Sequence, residues 1–339
     1  MRFKFIDAEK VVFPLTVLCR VMNVSRGGYY AWRNRKPSEH SKRDAELLAK
    51  IREFYKRSGK NYGSPRIYDD LRGDEEAVSK RRVERLMRDN GIVGKHRRKF
   101  TCTTDSNHDL PVAPNLLKQR FEAPRPDTVW TSDITQLRTP EGWLYLAVVL
   151  DLFARYVVGW AVRADITRQL VLDAVAMAIG QRNPEKGLIF HSDQGSQYAA
   201  ADTNKLLCSN GITPSMSGVG NCYDNAVTES FFSGFKVELG DTFPSRSQGT
   251  TDTFLFIETY YNPYRRHSFN GNVSPRDCEA FFVRNGRRPT SVMDLVAESS
   301  ILNAATSQTK GAPSPVLGST VTPVTAVDIQ CTEGQRPSI

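Results

Sequence analysis

The sequence has no long hydrophobic run. No apolar stretch approaches the roughly 20 residues that a membrane-spanning helix needs, and the run from Trp143 to Leu150 is short enough to be a buried strand. No secretory signal peptide is recognisable at Met1. We therefore expect a cytoplasmic protein with no membrane partner.

Paired cysteines are also missing. No two cysteines have the Cys-x-x-Cys spacing that is typical of structural zinc sites. A zinc site or a disulfide framework is therefore not supported, and we expect reduced thiols. The six cysteines are scattered along the chain at Cys19, Cys102, Cys208, Cys222, Cys278 and Cys331.

The charge of the chain is unevenly distributed. The formal net charge is +9, but residues 1–120 hold 28 Lys and Arg against 15 Asp and Glu, whereas residues 121–339 hold 18 against 22. The basic part is therefore predicted to bind nucleic acid. An acidic second part is compatible with the same partner if metal ions complete its attraction for phosphate.

Three carboxylates are the candidates for such a metal site. Asp133 lies within a β-branched and aromatic run that is typical of a strand, and Asp193 follows a short apolar run at the carboxyl end of another strand. Glu229, which is separated from Asp193 by 35 intervening residues, lies in a segment with helical spacing of apolar residues. Each acid alone is equally compatible with a turn cap, a loop or a solvated helix charge. Together, in this order and context, they predict a site for a pair of divalent metals.

The helix of Glu229 is predicted to have two faces. Its apolar residues Phe231, Phe235 and Leu239 repeat at helical spacing. Asn225, Glu229 and Lys236 project from the opposite face at positions i, i+4 and i+11.

The rest of this half alternates between strands and helices. Three hairpin-joined strands followed by alternating helices and strands predict a mixed five-stranded sheet with flanking helices, an α/β fold. The predicted strands are 128–138, 142–152, 155–163, 187–191 and 212–216, and the predicted helices are 167–181, 199–210 and the helix that carries Glu229.

Several motifs resemble one family. From about residue 40 to 283 the chain resembles the second-reading-frame (OrfB) DDE transposases of the bacterial insertion-sequence family numbered three, whose catalytic core is similar to retroviral integrase. The segment Cys19–Arg33 extends the resemblance towards the N-terminus. The matching motifs are Tyr62-Gly-Ser-Pro-Arg66, Pro126–Thr135, His191–Tyr198, Gly220–Ala226 with Glu229–Phe232, and Tyr260–His267.

The chain departs from the family at two places. Ser217-Gly-Val219 stands where members often carry a basic pair, and Gln194 stands where Arg is frequent. Both changes leave the three acids intact and bear on DNA affinity near them.

The resemblance implies a fold and a mechanism. It implies a ribonuclease H-like core with Asp133 on the first strand and Asp193 after the fourth, and catalytic and metal-binding roles for Asp133, Asp193 and Glu229. Two Mg²⁺ ions, with Mn²⁺ as a substitute, would activate the attacking oxygen and stabilise the leaving oxygen, with Asp133 bridging both ions. The implied reactions are DNA cleavage at insertion-sequence ends, with water as nucleophile, and strand transfer by the freed 3′-hydroxyl.

Four regions are predicted along the chain. Residues 1–100 form a basic, helical, helix-turn-helix-like DNA-binding region, and residues 101–124, with three prolines and little periodicity, form a linker. Residues 125–285 form the integrase-like core. Residues 286–339 form a C-terminal extension that is largely disordered from about residue 301, where aromatic residues are absent.

Two helical patterns in the basic region suit DNA binding. An apolar stripe from Leu15 to Met22, a break at Asn23, and Tyr29 to Trp32 are compatible with a helix-turn-helix unit. A second helix is predicted between Ser79 and Gly91, and its alternative interpretation is a solvated amphipathic helix. The DNA contacts predicted here are Arg81, Arg85, Arg88, Lys95, Arg97 and Arg98.

Four further DNA contacts are predicted in the core. Asn225 and Lys236 flank Glu229, although Lys236 also fits a plain surface lysine. Arg265 and Arg266 lie in an aromatic and cationic segment that suits unpaired bases and phosphates, or alternatively a structural cap over the core. His191 is expected to be structural rather than catalytic, and His267 is expected to be structural or a phosphate contact rather than a catalyst.

Partners follow from the resemblance. Besides insertion-sequence ends and target DNA, it implies the upstream-frame (OrfA) product as a fusion or partner, a homo-oligomer on DNA, and a nucleoid-associated location. No sustained heptad repeat is visible in this chain. A nuclease that only cuts remains an alternative, as does a non-catalytic DNA-binding regulator or relic of a mobile element, although the three retained acids argue against the latter.

Overall fold

The computed structural model of the chain describes residues 1–36, 38–95, 112–218 and 222–309. Residues Met1–Val296 cluster into one unit, which contains every residue of the site considered below. A second unit comprises Ala297–Ile339. The predicted DNA contacts Arg97 and Arg98 lie outside the described residues.

Three antiparallel strands begin the sheet. β1 (Val129–Thr139) pairs with β2 (Gly142–Asp151), and β2 pairs with β3 (Val157–Arg163). Gly142 has a φ of +104° at the tight β1–β2 turn, a conformation that glycine adopts without a steric penalty.

Two parallel strands complete the sheet. β4 (Ile189–Ser192) pairs parallel with β1, and β5 (Thr213–Met216) pairs parallel with β4. The strand order β3-β2-β1-β4-β5 confirms the predicted mixed five-stranded sheet.

Among the residues described before β1, six helices are present. Ser25, Ser38 and Ser79 cap three of them, because each serine hydroxyl accepts a hydrogen bond from a backbone N–H of the first turn. The helices are α1 (Arg2–Glu9), α2 (Leu15–Val21), α3 (Arg26–Arg33), α4 (Glu39–Arg57), α5 (Ser64–Gly73) and α6 (Lys80–Asp89).

The later helices cover both faces of the sheet. Side chains of α7 pack on one face of the sheet, and phenylalanines of α10 pack on the other. These helices are α7 (Arg168–Arg182), α8 (Ser196–Ala199), α9 (Ala201–Ser209), α10 (Ala226–Glu238), α11 (Arg246–Phe254), α12 (Pro275–Asn285) and α13 (Val292–Thr309), and a π-helix at Leu255–Tyr261 directly follows α11.

The edge strand β3 is capped by a side chain. The Asn262 amide donates to the Val157 carbonyl at 3.0 Å and accepts from the Val157 N–H at 2.9 Å. Asn262 is buried, so a side chain here replaces a neighbouring strand.

The last helix, α13, runs to Thr309 and so includes the first residues beyond about 301. The prediction of a largely disordered extension concerns mostly residues 310–339, which lie outside the described residues. Among the described residues, no helix combines the length and apolarity needed to cross a membrane.

Candidate active site

Two of the predicted acids belong to neighbouring strands, since Asp133 lies within β1 and Asp193 directly follows β4. β1 and β4 run parallel with Thr131 opposite His191, so continuing this register by two residues brings Asp193 beside Asp133. Asp193 follows the last residue of β4, where ligand sites gather in α/β folds. The Gly195 N–H donates to Asp193 Oδ1 at 3.0 Å and so fixes the turn that carries this carboxylate.

Glu229 lies in the first turn of α10 and is half-buried. A 3₁₀ turn at Cys222–Asn225 leads into the helix. The buried Asp224 carboxylate anchors this turn, because it accepts from Asn115 Nδ2 at 2.8 Å and from the Gly218 N–H at 3.0 Å.

The start of α10 is bonded directly to the strand of Asp133. Asn225 Nδ2 donates to the carbonyl of Ser132, the residue before Asp133, at 3.2 Å. The Thr228 hydroxyl lies 2.9 Å from both Thr131 Oγ1 and Asn225 Oδ1. Because Thr228 precedes Glu229 in the sequence, these buried contacts fix Glu229 relative to Asp133.

Electrostatics shows that the three acids share one environment. Burial raises the pKa of Asp133 well above its ordinary value, and the negative charges of Asp193 and Glu229 raise it further. The Ile134 N–H, which donates to Asp133 Oδ1 at 2.8 Å, opposes this rise. Burial also raises the pKa of Glu229. The acids are therefore close enough for the charge of each partner to be felt at Asp133.

Lys236 lies on the same side of α10. Burial lowers the pKa of this half-buried lysine, while the charges of Asp241 and Asp133 act in the opposite direction. Its ammonium is thus placed within the field of the central carboxylate.

A buried tyrosine contacts the residue that precedes Asp133. Tyr198 is 2% exposed, and its hydroxyl lies 2.9 Å from Ser132 Oγ. Burial raises its pKa, and so do the charges of Asp133 and Asp193, which keeps the phenol neutral. The three acidic residues therefore have a neutral phenol and a serine hydroxyl as polar neighbours.

This donor set suits a divalent cation of the magnesium type. Hard cations prefer carboxylate oxygens, and a bound cation would relieve the repulsion that raises the Asp133 pKa. Among the described residues, no three His, Cys, Asp or Glu side chains already stand at ligand distance of a common point. The residues fit the cation by chemistry and charge.

Both histidines near the motifs have structural contacts. His191 is fully buried, its Nδ1 lies 2.9 Å from Ser215 Oγ on β5, and burial lowers its pKa. His267 Nδ1 accepts from the Phe269 N–H at 3.3 Å in a short 3₁₀ turn.

The predicted DNA contacts on α6 differ in availability. Arg81 and Arg88 are exposed. Arg85 is half-exposed and donates to Asp44 Oδ2 at 2.7 Å, while exposed Lys95 donates to the Glu238 carbonyl at 2.8 Å.

Arg265 occupies a different environment from the one predicted. Its side chain is 7% exposed and makes three hydrogen bonds of 2.7 to 3.0 Å to the carboxylate of Glu238, which is 6% exposed. Burial alone would raise the pKa of Glu238, but Arg265 and Arg66 together lower it. A buried, doubly bonded guanidinium is not presented to DNA, so Arg265 has a structural role in place of the predicted contact.

Arg266 likewise joins two parts of the chain. Arg266 Nε donates to Asp70 Oδ1 at 2.5 Å, and the Arg266 N–H donates to the Tyr62 hydroxyl at 2.7 Å. The Tyr62 ring is stacked on Tyr264 with centroids 6.1 Å apart. The Tyr260–His267 segment therefore supports the alternative interpretation, a structural cap, and its partner is the Tyr62–Arg66 motif.

Sequence reasoning missed several residues of the site. Thr228, Thr131 and Tyr198 were not singled out, because a buried threonine or tyrosine has no distinctive sequence pattern. Asn225 was assigned to DNA, but both ends of its amide are occupied within the protein. The sequence signal for a structural role of Asn225 was its position one helical turn before Glu229.

Two protein families match the chain. The integrase core domain matches residues 123–222, a range that includes Asp133 and Asp193 and ends before Glu229. An HTH-like domain matches residues 42–100, a range that contains α5, α6 and α4 from residue 42 onward. Together with the mixed five-stranded sheet and the converging acids, these matches define a DDE-type polynucleotidyl transferase with an integrase core.

Curated relatives narrow this class to one family. The transposase InsF for insertion sequence IS3A of Escherichia coli strain K12 is 40% identical over 287 residues, which are 82% of this chain and 98% of the relative. The IS600 uncharacterized 31 kDa protein of Shigella sonnei is 41% identical over 260 residues, or 76% of this chain and 96% of that protein. The chain belongs to the OrfB-type transposases of the IS3 family.

A solved structure shows a more distant likeness. The catalytic core domain of HTLV-2 integrase, solved in complex with magnesium in a dimeric form, is 15% identical and has a TM-score of 0.32. The likeness covers 44% of this chain and 93% of that one.

Proposed function

We propose that Asp133, Asp193 and Glu229 are the catalytic and cation-binding residues of this transposase, and that they cleave insertion-sequence ends and join them to target DNA. The observation that carries the proposal is the convergence of Asp193 and Glu229 on Asp133, whose pKa both charges raise. Asp133 is central because the charges of both other acids act on it. Two Mg²⁺ ions, or Mn²⁺ in their place, would supply activation of the attacking oxygen and stabilisation of the leaving oxygen.

The neighbouring residues hold this arrangement in place. Asn225 and Thr228 fix α10 against β1, and the neutral Tyr198 holds Ser132 beside Asp133. Lys236 stands within the field of Asp133, where its ammonium would meet the phosphate backbone of a bound strand. Tight positioning is required because a misplacement of about 1 Å at reacting groups reduces rates about 100-fold.

DNA, the upstream-frame product and a second copy are the proposed partners. Exposed Arg81 and Arg88 on α6, with Arg85 and Lys95 beside them, supply cations for phosphate contacts. The family membership supports the OrfA product as fusion or partner, and joining two ends at one target supports an oligomer on DNA. The bacterial relatives support action at the nucleoid in the cytoplasm. The predicted boundaries 1–100, 101–124, 125–285 and 286–339 remain part of this proposal.

The test is cleavage and joining of labelled duplex DNA that carries the element's ends. Purified wild-type protein is expected to nick and join this DNA with Mg²⁺ or Mn²⁺, and Glu229→Gln is expected to lose both reactions. Joined products distinguish a transposase from a nuclease that only cuts. Equal activity of the two proteins would remove Glu229 from the mechanism. If both proteins are silent, the assay is repeated with the chain fused to its upstream frame.

Thr228→Val tests the attachment of α10 to β1. Valine removes the hydroxyl that contacts Thr131 and Asn225. The first turn of α10, which carries Glu229, then loses its side-chain bond to Thr131 of β1. We expect the cleavage rate at saturating DNA to fall on the order of 10- to 100-fold. Thr253→Val is the matched control, because Thr253 is equally buried and its hydroxyl donates to the Gly249 carbonyl at 2.7 Å within α11. Equal rates for the two variants at similar melting temperatures would contradict the assigned role.

A further inference from the structure

The first helices of the chain form a complete helix-turn-helix. α2 and α3 are joined by a turn of four residues, Met22 to Ser25. Asn23 has a φ of +50° in this turn, a left-handed conformation that asparagine tolerates better than most residues. The Val24 N–H closes the end of α2 by bonding the Cys19 carbonyl at 3.0 Å, and the Ser25 hydroxyl caps α3.

One face of this unit is committed to packing. Leu18 and Cys19 of α2 are buried against Tyr29 of α3. The Tyr29 hydroxyl also donates to Asp7 Oδ1 of α1 at 2.7 Å, and Trp32 is stacked on Phe3 with centroids 5.7 Å apart. α3 is therefore held rigidly on α1 and α2 by one side only.

The opposite face of α3 is exposed and cationic. Arg26 and Gly27 lie at its start and Tyr30 lies one turn further along, with its side chain 42% exposed. The exposed Arg33, Arg35 and Lys36 follow at its end. Arg26 and Tyr30 are four residues apart, so they project from the same side of the helix.

We propose that α3 is a recognition helix that reads base edges in the major groove of duplex DNA. In helix-turn-helix proteins the N-terminal residues of the second helix contact bases while the first helix crosses the backbone. Arg26 has the side chain that bonds guanine O6 and N7 in that groove. Tyr30 lies beside it, and Arg33, Arg35 and Lys36 are placed for phosphates.

This reading unit is separate from the matched HTH-like domain. That match covers residues 42–100 and begins after α3 has ended. The cations of α6 supply affinity without sequence information, whereas α3 supplies the choice of sequence. The proposal goes beyond the proposed function, because it does not depend on the three acids.

Gly27 offers a sharp test of the exposed face. A side chain added at Gly27 meets no other atom within 4 Å in the protein itself. Gly27→Glu therefore leaves the fold intact and places a carboxylate where the groove would lie. Gly180→Glu is the matched control, because Gly180 is also exposed within a helix, has the same open surroundings and lies on α7.

The experiment selects bound sequences from a random duplex pool with the full-length protein, and then measures affinity for the enriched duplex by fluorescence anisotropy. Wild type is expected to enrich a motif. Arg26→Ala is expected to lose base preference at one or two adjacent positions and to bind the enriched duplex about 5- to 150-fold more weakly. Gly27→Glu is expected to lose the motif, and Gly180→Glu is expected to keep it.

Two further variants separate the roles. Arg88→Ala should weaken binding to every sequence alike and reduce the salt dependence without changing the motif. Asp133→Asn should keep the motif while losing cleavage, so failure of the catalytic proposal and of this one are distinguishable. The proposal is overturned if wild type enriches no motif, or if Arg26→Ala and Gly27→Glu both retain the wild-type motif and affinity.

Discussion

Asp133→Asn is expected to reduce DNA cleavage by about 10³-fold or more without loss of stability. A divalent cation supplies several kcal/mol of charge stabilisation to such a reaction, and each 1.36 kcal/mol corresponds to a factor of ten in rate. The substitution removes the proposed cation ligand, the carboxylate whose pKa the charges of both other acids raise. The measurement is the initial rate of strand nicking with Mn²⁺, the cation used to give the variant its best chance of activity.

Stability separates this effect from misfolding. The Asp133 pKa is raised, so its ionised form is disfavoured in the folded protein, and a neutral amide removes that penalty. Asparagine Oδ1 can still accept the Ile134 N–H. We expect the melting temperature of Asp133→Asn at pH 8 to equal or exceed that of wild type. Asp165→Asn, at an exposed carboxylate on another part of the core, should keep both activity and stability. An active Asp133→Asn protein would refute the proposed site.

Glu238→Ala is expected to lower the free energy of unfolding by about 3–5 kcal/mol, because it leaves a buried guanidinium without its partner. Arg265 donates three hydrogen bonds to the Glu238 carboxylate, and the Arg66 guanidinium of α5 lies 3.5 Å from the same carboxylate. Denaturant unfolding monitored by tryptophan fluorescence measures the loss.

Two controls define the cause. Glu39→Ala removes an exposed ion pair with Lys42 and should leave the unfolding midpoint unchanged. The double variant Glu238→Leu with Arg265→Met should regain most of the lost stability, because no uncompensated charge remains buried. A double variant as unstable as Glu238→Ala would contradict this explanation. The lower free energy of unfolding would then not come from an unpaired Arg265 guanidinium.

The junction around Glu238 has a mechanistic meaning as well. Glu238 is the last residue of α10, and Glu229 lies in the first turn of the same helix. Arg66 of the basic helical region pairs with the Glu238 carboxylate, and Lys95 donates to the Glu238 carbonyl. The helix of the third acid is therefore fastened to β1 at one end and to the basic region at the other. A movement of the basic region on DNA would act on α10 directly.

Local patterns explain why most of the fold was predictable. β1 was predicted at 128–138 and is found at Val129–Thr139, because β-branched and aromatic residues favour a strand through local interactions. The neighbouring positions of Asp133 and Asp193 depended on a parallel pairing that only the resemblance supplied, and the register confirms it.

Arg265 and Arg266, both predicted as DNA contacts, have protein partners that are distant in sequence. Arg265 pairs with Glu238 across 27 positions, and Arg266 pairs with Asp70 across 196. An arginine among tyrosines is typical of a nucleic-acid contact and of a buried ion pair alike, and only the position of the carboxylate distinguishes them. Asn225 shows the same limit, since its acceptor is the backbone of Ser132, which no sequence pattern marks.

The amide of Asn262 has a consequence for how copies of this protein meet. β3 is an outer strand of the sheet, and an outer strand with unsatisfied backbone groups recruits strands from other molecules. Asn262 occupies both backbone groups of Val157, so a foreign strand finds no donor or acceptor at that point. Edge-to-edge pairing of β3 with a strand of another copy is thereby blocked at Val157.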